Sequence, residues 1–224
     1  WIPWPLESGK KIRTFNLMTH LAKYHNIDYL AYVDSQTEKF KIKIMEDNGI
    51  RVFPVNDVRT TKWTFKFYAQ VALNFFSKEP FSTFYHIKKE FVEALQSYLI
   101  KEKPDLIHCE WTNYAPVLEN IKGIPYVISA HNVESDIWDR FRKHGSNVFK
   151  RILGYSQARK IERMERLWYP RASQCIAVSP EDKRVIESYG AQVTLIDNGV
   201  DIKYYSSYKS INEENNSLIF TASF

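Results

Sequence analysis

PDLIHCEWTNYAPVLENIKGIPYVISAHNVES, residues 104–135, decides the fold. It holds two short apolar runs, LIHC at 106–109 and YVISA at 126–130. Neither alternates polar with apolar as a half-exposed strand would. Runs of this kind are covered on both faces, as in a parallel sheet. Each ends abruptly in polar or aromatic residues: Glu110-Trp111 after the first, His131-Asn132-Val133-Glu134 after the second.

The same rhythm extends in both directions. Leu17, Met18, Leu21 and Ala22 mark one face of a helix after Lys11, and 27–33 reads as a strand. A helix over 38–48, closed by Gly49, leads to a short strand over 50–53. An aromatic-rich helix follows over 63–76. Phe84, Ile87, Phe91, Leu95 and Tyr98 keep helical spacing, which predicts one helix stopped by Pro104. A short helix is expected at 116–120 and a long basic one over 147–168. Strands at 175–178 and 193–196 flank a helix over 180–189 with proline in its first turn. Alternating strands and helices predict an α/β fold with a doubly wound parallel sheet. Trp1-Ile2 reads as the last step of a strand whose beginning is absent. Residues 1–210 are expected to form one domain and the polar 211–216 (INEENN) a linker. Residues 217–224 then open a second domain, beginning with a strand at 217–220.

Composition narrows the class. Hydrophobic residues make up 44% of the 224 and charged residues 25%, which is globular rather than disordered. The net charge of +5 equals that of the stretch 148–171, where Lys150, Arg151, Arg159, Lys160, Arg163, Arg166 and Arg171 face only Glu162 and Glu165. Two cysteines, Cys109 and Cys175, each in an apolar run, are no disulfide framework and point to a reducing cytoplasm. No run of about 18 apolar residues predicts a membrane span, although the chain can lie against a membrane.

Open parallel sheets bind ligands beyond the carboxyl ends of their strands. That rule selects Glu110-Trp111, the 131–134 loop, Ser179-Pro180, Asp197-Asn198-Gly199, and the early loop Pro3-Trp4-Pro5 with Ser8-Gly9-Lys10.

These motifs resemble the amino-terminal domain of glycosyltransferase family four, a GT-B family. The likeness starts with PWPLESGKKIR at 3–13 and continues through PDLIH at 104–108 and HNVES at 131–135. It closes with AVS at 177–179 and NGVD at 198–201. The resemblance implies a Rossmann-like acceptor-side half. The partner lobe, outside this chain, would bind the nucleotide sugar. It also implies a retaining hexosyl transfer to a polysaccharide, glycolipid or other glycan acceptor. No cofactor and no metal are expected, the nucleotide sugar being a substrate. A relative acting as a nucleotide-sugar epimerase, or as a noncatalytic sugar binder, is the alternative.

Residue roles follow from that resemblance. His131 is implied to reach the transferred sugar or the acceptor and to orient rather than attack, since neutral imidazole both donates and accepts hydrogen bonds; otherwise it bonds its own loop. Gly9 suits close backbone approach to phosphate or sugar, or a simple tight turn. The family's usual second glycine is Lys10 here, which narrows the loop or adds a phosphate contact. Arg13 points at an anionic group or at the loop, or lies on a solvated helix face. An acceptor sugar stacks on Trp111 and bonds Glu110, or these are a packed tryptophan and a capping acid. Asn132 accompanies His131 in its loop. Glu134 is an acceptor contact or an acid complementing a helix dipole. Ser179 faces ligand or caps the helix it precedes. Asn198 and Gly199 form a turn that the family places near the interdomain cleft.

The basic helix carries Ile161, Met164, Leu167 and Trp168 on one face. It is an amphipathic contact with anionic lipid at the inner plasma membrane, or an ordinary core helix. The aromatics between Trp63 and Tyr85 line an acceptor groove or build core. Three other chemistries are set aside. His108, Cys109 and Glu110 are metal-ligand types without a second cluster at ligand spacing. Ser179 lacks the nucleophile elbow of a serine hydrolase. The single basic helix, interleaved with acids, has no nucleic-acid recognition motif.

Overall fold

The computed structural model describes residues 1–34, 38–200, 202 and 206. The expected linker at 211–216 and strand at 217–220 lie outside the described residues. The first half of the chain gives α1 (Gly9–Leu21), β1 (Ile27–Val33), α2 (Lys39–Asp47), β2 (Ile50–Asn56), α3 (Phe65–Asn74), α4 (Phe81–His86) and α5 (Lys89–Glu102). Then come β3 (Ile107–Cys109), a 3₁₀ turn (Thr112–Leu118), β4 (Tyr126–Ala130), α6 (Glu134–His144), α7 (Val148–Trp168), β5 (Gln174–Ala177), α8 (Pro180–Ser188) and β6 (Val193–Leu195).

Every strand pairing is parallel. β1 pairs β2 from Ile27↔Ile50 to Val33↔Asn56. β3, β4, β5 and β6 pair in that order, with Ile128 opposite both Cys109 and Cys175. The architecture is thus α/β and Rossmann-like. β4 and β5 are largely buried, as their unbroken apolar runs require. In β2, Ile50 and Val52 are buried in one core and Val55 in another, while Arg51 and Pro54 are exposed. Its proline fits an edge position.

Local chemistry fixes the helix ends. The Ser8 hydroxyl accepts from Lys11 N at the start of α1, and Asn147 accepts from Lys150 N at the start of α7. Gly49, at φ +80°, closes α2 in a conformation that costs a side chain. The single helix expected through Phe84 and Tyr98 is two. Ile87 and Lys88 are extended, and Lys88 N–H is spent on Tyr32 Oη at 3.2 Å. Of the residues that kept the apolar spacing across this break, Phe91 and Leu95 of α5 are buried while Phe84 of α4 is exposed. Helix α6 was not read as an element, and the short helix falls at Thr112–Leu118 rather than 116–120. Trp1-Ile2 is no strand here, although Ile2 is buried against β1 and β2.

Two cores flank the site. Ile128, Cys175 and Ala177 pack with Ile161, Met164 and Trp168 of α7 and Ile186 of α8. Ala31, Val33 and Ile50 pack with Phe15 of α1 and Met45 of α2. Burial of each large apolar side chain is worth roughly 1.5–3 kcal/mol. The face of α7 carrying Ile161, Met164 and Trp168 is therefore core, not lipid-facing; Leu167 alone of that group is exposed. The other large exposed apolar side chains of α7 are Val148, Phe149, Ile152 and Tyr155, near its start. Helices α6 and α7 cross closely at Gly154, where an added Cβ would lie 2.9 Å from Arg142 Cα. The aromatic cluster divides: Phe67, Phe81 and Tyr85 pack edge to face, while Trp63, Phe65 and Phe76 face outward. No helix among the described residues is long and apolar enough to cross a membrane.

Candidate active site

Strand β3 ends at Cys109 and delivers Glu110; β4 ends at Ala130 and delivers His131. Because the strands are adjacent and parallel, both side chains emerge at the same sheet edge. His131 Nε2 lies 3.1 Å from Glu110 Oε1, and the His131 side chain is 10% exposed. That nitrogen is buried and has no hydrogen-bond partner in strict geometry. Glu110 also takes a 2.6 Å hydrogen bond from the Thr14 hydroxyl of α1 and stands 3.2 Å from His108 Nε2. His108 Nε2 is in turn 2.7 Å from the Ser129 hydroxyl of β4. Burial pushes the Glu110 carboxyl up, but the His108, His131 and Thr14 contacts outweigh it and hold it well below the usual carboxylate range. Glu110 is thus an ionised carboxylate at neutral pH, engaged by protein groups on three elements.

Trp111 and Lys10 cover one another. Lys10 Nζ sits 4.2 Å from the Trp111 ring centre and 5.4 Å from that of Trp1. Burial lowers the Lys10 pKa to about 8, with Glu134 and Glu110 opposing the shift. The Trp111 indole N–H donates to Glu134 Oε1 at 2.8 Å. Glu134 is at once a partner of Trp111 and a first-turn acid of α6. One face of Trp111 is therefore occupied, against the expectation of an open stacking platform.

Arg13 is engaged by the chain itself. Its guanidinium donates to Ile196 O and Asp197 O, both at 2.9 Å, and to Asn198 Oδ1 at 3.1 Å. It ties the loop after β6 to α1, one residue before Thr14 reaches Glu110. Ser179 caps α8: its hydroxyl accepts from Asp182 N and donates to Asp182 Oδ2 at 2.7 Å. Gly9 and Gly199 have ordinary negative-side backbone and open space where a side chain would go, so neither is a position that demands glycine. Gly9 is the first residue of α1 rather than part of a tight turn. Asn132 is exposed beside His131.

Two carboxylates that sequence reasoning left unassigned hold the His131 loop. Asp182 Oδ1 accepts Val133 N–H at 3.0 Å. Glu165 Oε1 accepts Glu134 N–H at 2.8 Å and Ser135 N–H at 3.3 Å, and its other oxygen accepts the Ser135 hydroxyl. Glu165 is fully buried. Burial pushes its pKa up to about 7, although these donors pull the other way. Its signal lay in the sequence as an acid between Ile161, Met164 and Trp168 on the inward face of α7. Thr14 left no such mark. Among the described residues no group of three or more His, Cys, Asp or Glu side chains is arranged to hold a metal ion.

The site thus gathers His131, Glu110, Trp111, Glu134, Lys10 and Arg13 along one sheet edge, with α1 bridging the loops after β3 and β6. No curated protein sequence matches the chain at a significant level. The sequence model of Glycosyltransferase Family 4 matches residues 9–204, a span that holds all of the site residues above and nearly all of the fold. By that match, and by the parallel α/β architecture that carries it, the chain belongs to Glycosyltransferase Family 4.

Proposed function

We propose that this chain is the acceptor-side half of a retaining GT-B glycosyltransferase. It works with a second lobe that binds the nucleotide sugar, and it passes the sugar to a polysaccharide, glycolipid or other glycan acceptor. The observation that carries this reading is the meeting of His131 with Glu110 at the carboxyl ends of adjacent parallel strands, buried on the protein side and facing the sheet edge where such folds take ligands. In this reading His131 contacts the transferred sugar or the acceptor hydroxyl and is an orienting group. Glu110, fixed by Thr14 and His108, sets the position of the imidazole. Catalysis rests on positioning and electrostatics rather than on a protein nucleophile. No metal takes part, and activity should survive chelation.

Lipid-linked acceptors also give the chain a reason to meet a membrane from the cytoplasmic side. The surface suited to that is the α6–α7 tip. There Val148, Phe149, Ile152 and Tyr155 are exposed among Arg140, Arg142, Lys143, Lys150 and Arg151.

The test is a screen of UDP-, GDP- and ADP-sugars with glycan and lipid acceptors, on the two-lobed protein and on its His131→Ala variant. Sugar transfer that falls sharply in the variant while the thermal midpoint holds supports the reading. Epimerised donor without transfer favours the epimerase alternative. Turnover equal in both proteins refutes the role of His131. The 224-residue chain alone should show negligible turnover.

A further inference from the structure

The loop after β2 leaves the carboxyl end of its strand, as the loops after β3 and β4 do. Asp57 and Arg59 form a pair within it. Asp57 Oδ1 accepts the Arg59 backbone N–H at 3.0 Å and its Nε–H at 2.8 Å. Tyr85 Oη donates to Thr60 O at 2.7 Å and pins the same loop to α4. The Arg59 side chain is 14% exposed and lies 4.6 Å from the Tyr32 ring centre. Its Nη1 reaches His86 Nδ1 at 2.9 Å. A guanidinium only donates, so Nδ1 must accept and the His86 proton must sit on Nε2. Among the described residues Nε2 has no hydrogen-bond partner, and it is not buried, so its proton faces solvent.

His86 ends α4 with its ring against two others, Tyr85 at 5.0 Å and Trp111 at 4.9 Å between centres, both edge to face. Each of those rings carries a lysine. Lys10 Nζ is 4.2 Å from the Trp111 ring centre, and Lys62 Nζ is 6.0 Å from that of Tyr85. The side chains that act most on the charge of His86 are Arg59, Lys62 and Lys10, all cations. Burial first, and then these cations, lower its pKa to about 3, so the imidazole is neutral at physiological pH. A neutral ring with a fixed tautomer, set in a positive field, offers an N–H and refuses a second proton. Its best partner is an oxygen that carries negative charge.

We propose that His86 Nε2–H, flanked by Lys10 and Lys62, is an anion-binding subsite that takes a carboxylate or phosphate carried by the acceptor. The acceptor is then an acidic glycan, bearing either a uronate or a phosphate. Trp111 is the shared wall. His86 packs on its ring and Glu134, from the loop that carries His131, accepts its indole N–H. An acceptor anchored at His86 is therefore held one ring away from that loop. The word acceptor rests on the functional reading above; the anion site rests on the geometry of 57–62, His86 and Trp111.

The experiment titrates the full-length protein, without donor, with methyl glucuronide, glucose 6-phosphate and neutral methyl glucoside at one ionic strength. Nitrogen NMR of protein with isotope-labelled histidine is recorded alongside. At least one of the two acids should bind about tenfold or more tighter than the glucoside, and which one does so tells uronate from phosphate. His86→Phe keeps the ring packing and removes the donor; it should erase that preference, and His86→Gln, with an amide N–H in its place, should restore part of it. The His86 signals should show the Nε2–H tautomer unchanged from pH 5 to pH 8 and move when the acid binds. Equal or absent binding of all three compounds overturns the proposal. So does an acid preference that survives in His86→Phe, or a His86 proton found on Nδ1. Lys62 is exposed, so Lys62→Ala reads the site even if His86→Phe fails to fold, and an undiminished acid preference there also overturns it. No readout needs sugar transfer. Acid binding without transfer refutes the functional reading alone; transfer without acid binding refutes this proposal alone.

Discussion

Replacing Glu165 with glutamine should stabilise the protein above neutral pH. Glu165 is fully buried, and its pKa rises from an ordinary 4.5 to about 7 because burial outweighs the donors around it. The folded chain therefore keeps this proton to higher pH than the unfolded chain. Below pH 4.5 both states hold it and the group has no effect on the pH dependence. Between 4.5 and 7 only the unfolded chain releases it, so stability falls as pH rises through that window. At about 1.4 kcal/mol per pH unit, the loss reaches about 3 kcal/mol above pH 7. Glutamine keeps the shape. Its carbonyl can accept from Glu134 N–H and Ser135 N–H, and its amide can donate to the Ser135 hydroxyl, with nothing to ionise. Urea unfolding of both proteins from pH 5 to pH 8 is the assay, read as the difference between them so that Glu110 and the other carboxylates cancel. The difference should be small at pH 5 and grow to about 3 kcal/mol in favour of glutamine at pH 8. Glutamine less stable than wild type at pH 8 would refute the reasoning, because it would mean that the ionised carboxylate itself anchors α6.

Glu165→Ala strands the same donors and should cost about 3 kcal/mol or more by urea titration at pH 5, a deficit that shrinks towards pH 8 because alanine, too, has nothing to ionise. Gly154→Ala places a methyl 2.9 Å from Arg142 Cα and should destabilise by about 1–3 kcal/mol, despite the better helix propensity of alanine. Arg13→Ala releases three acceptors on 196–198, and amide exchange there should quicken at least about tenfold while the β4 and β5 amides stay slow. Phe149→Glu should weaken sedimentation with vesicles of phosphatidylglycerol and phosphatidylcholine at least about tenfold; unchanged binding would remove the α6–α7 tip from the lipid contact.

Most of the sheet was legible because parallel strands are short, apolar and closed by polar residues, and this pattern needs no tertiary context. His131 and Glu110 were legible for the same reason: they follow directly on two such runs. What the sequence hid was long-range pairing. Nothing local tells that Arg13 spans to 196–198 or that Thr14 reaches Glu110, 96 residues away. The α4–α5 break was invisible because one apolar stripe serves both helices. At Gly9 and Gly199 the space where a side chain would go is open.

Gly154 lets α6 and α7 touch backbone to backbone, and both helices run from the exposed tip toward the His131 loop. Sixteen residues of α7 separate Phe149 from Glu165, roughly 24 Å of unbroken helix, and Glu165 holds the first amides of α6. The pair acts as a stiff rod with one end at the surface and the other gripping the loop that carries the imidazole. A load applied to the tip, by a bilayer or by a crosslink, arrives at His131 as a displacement rather than being lost in bending.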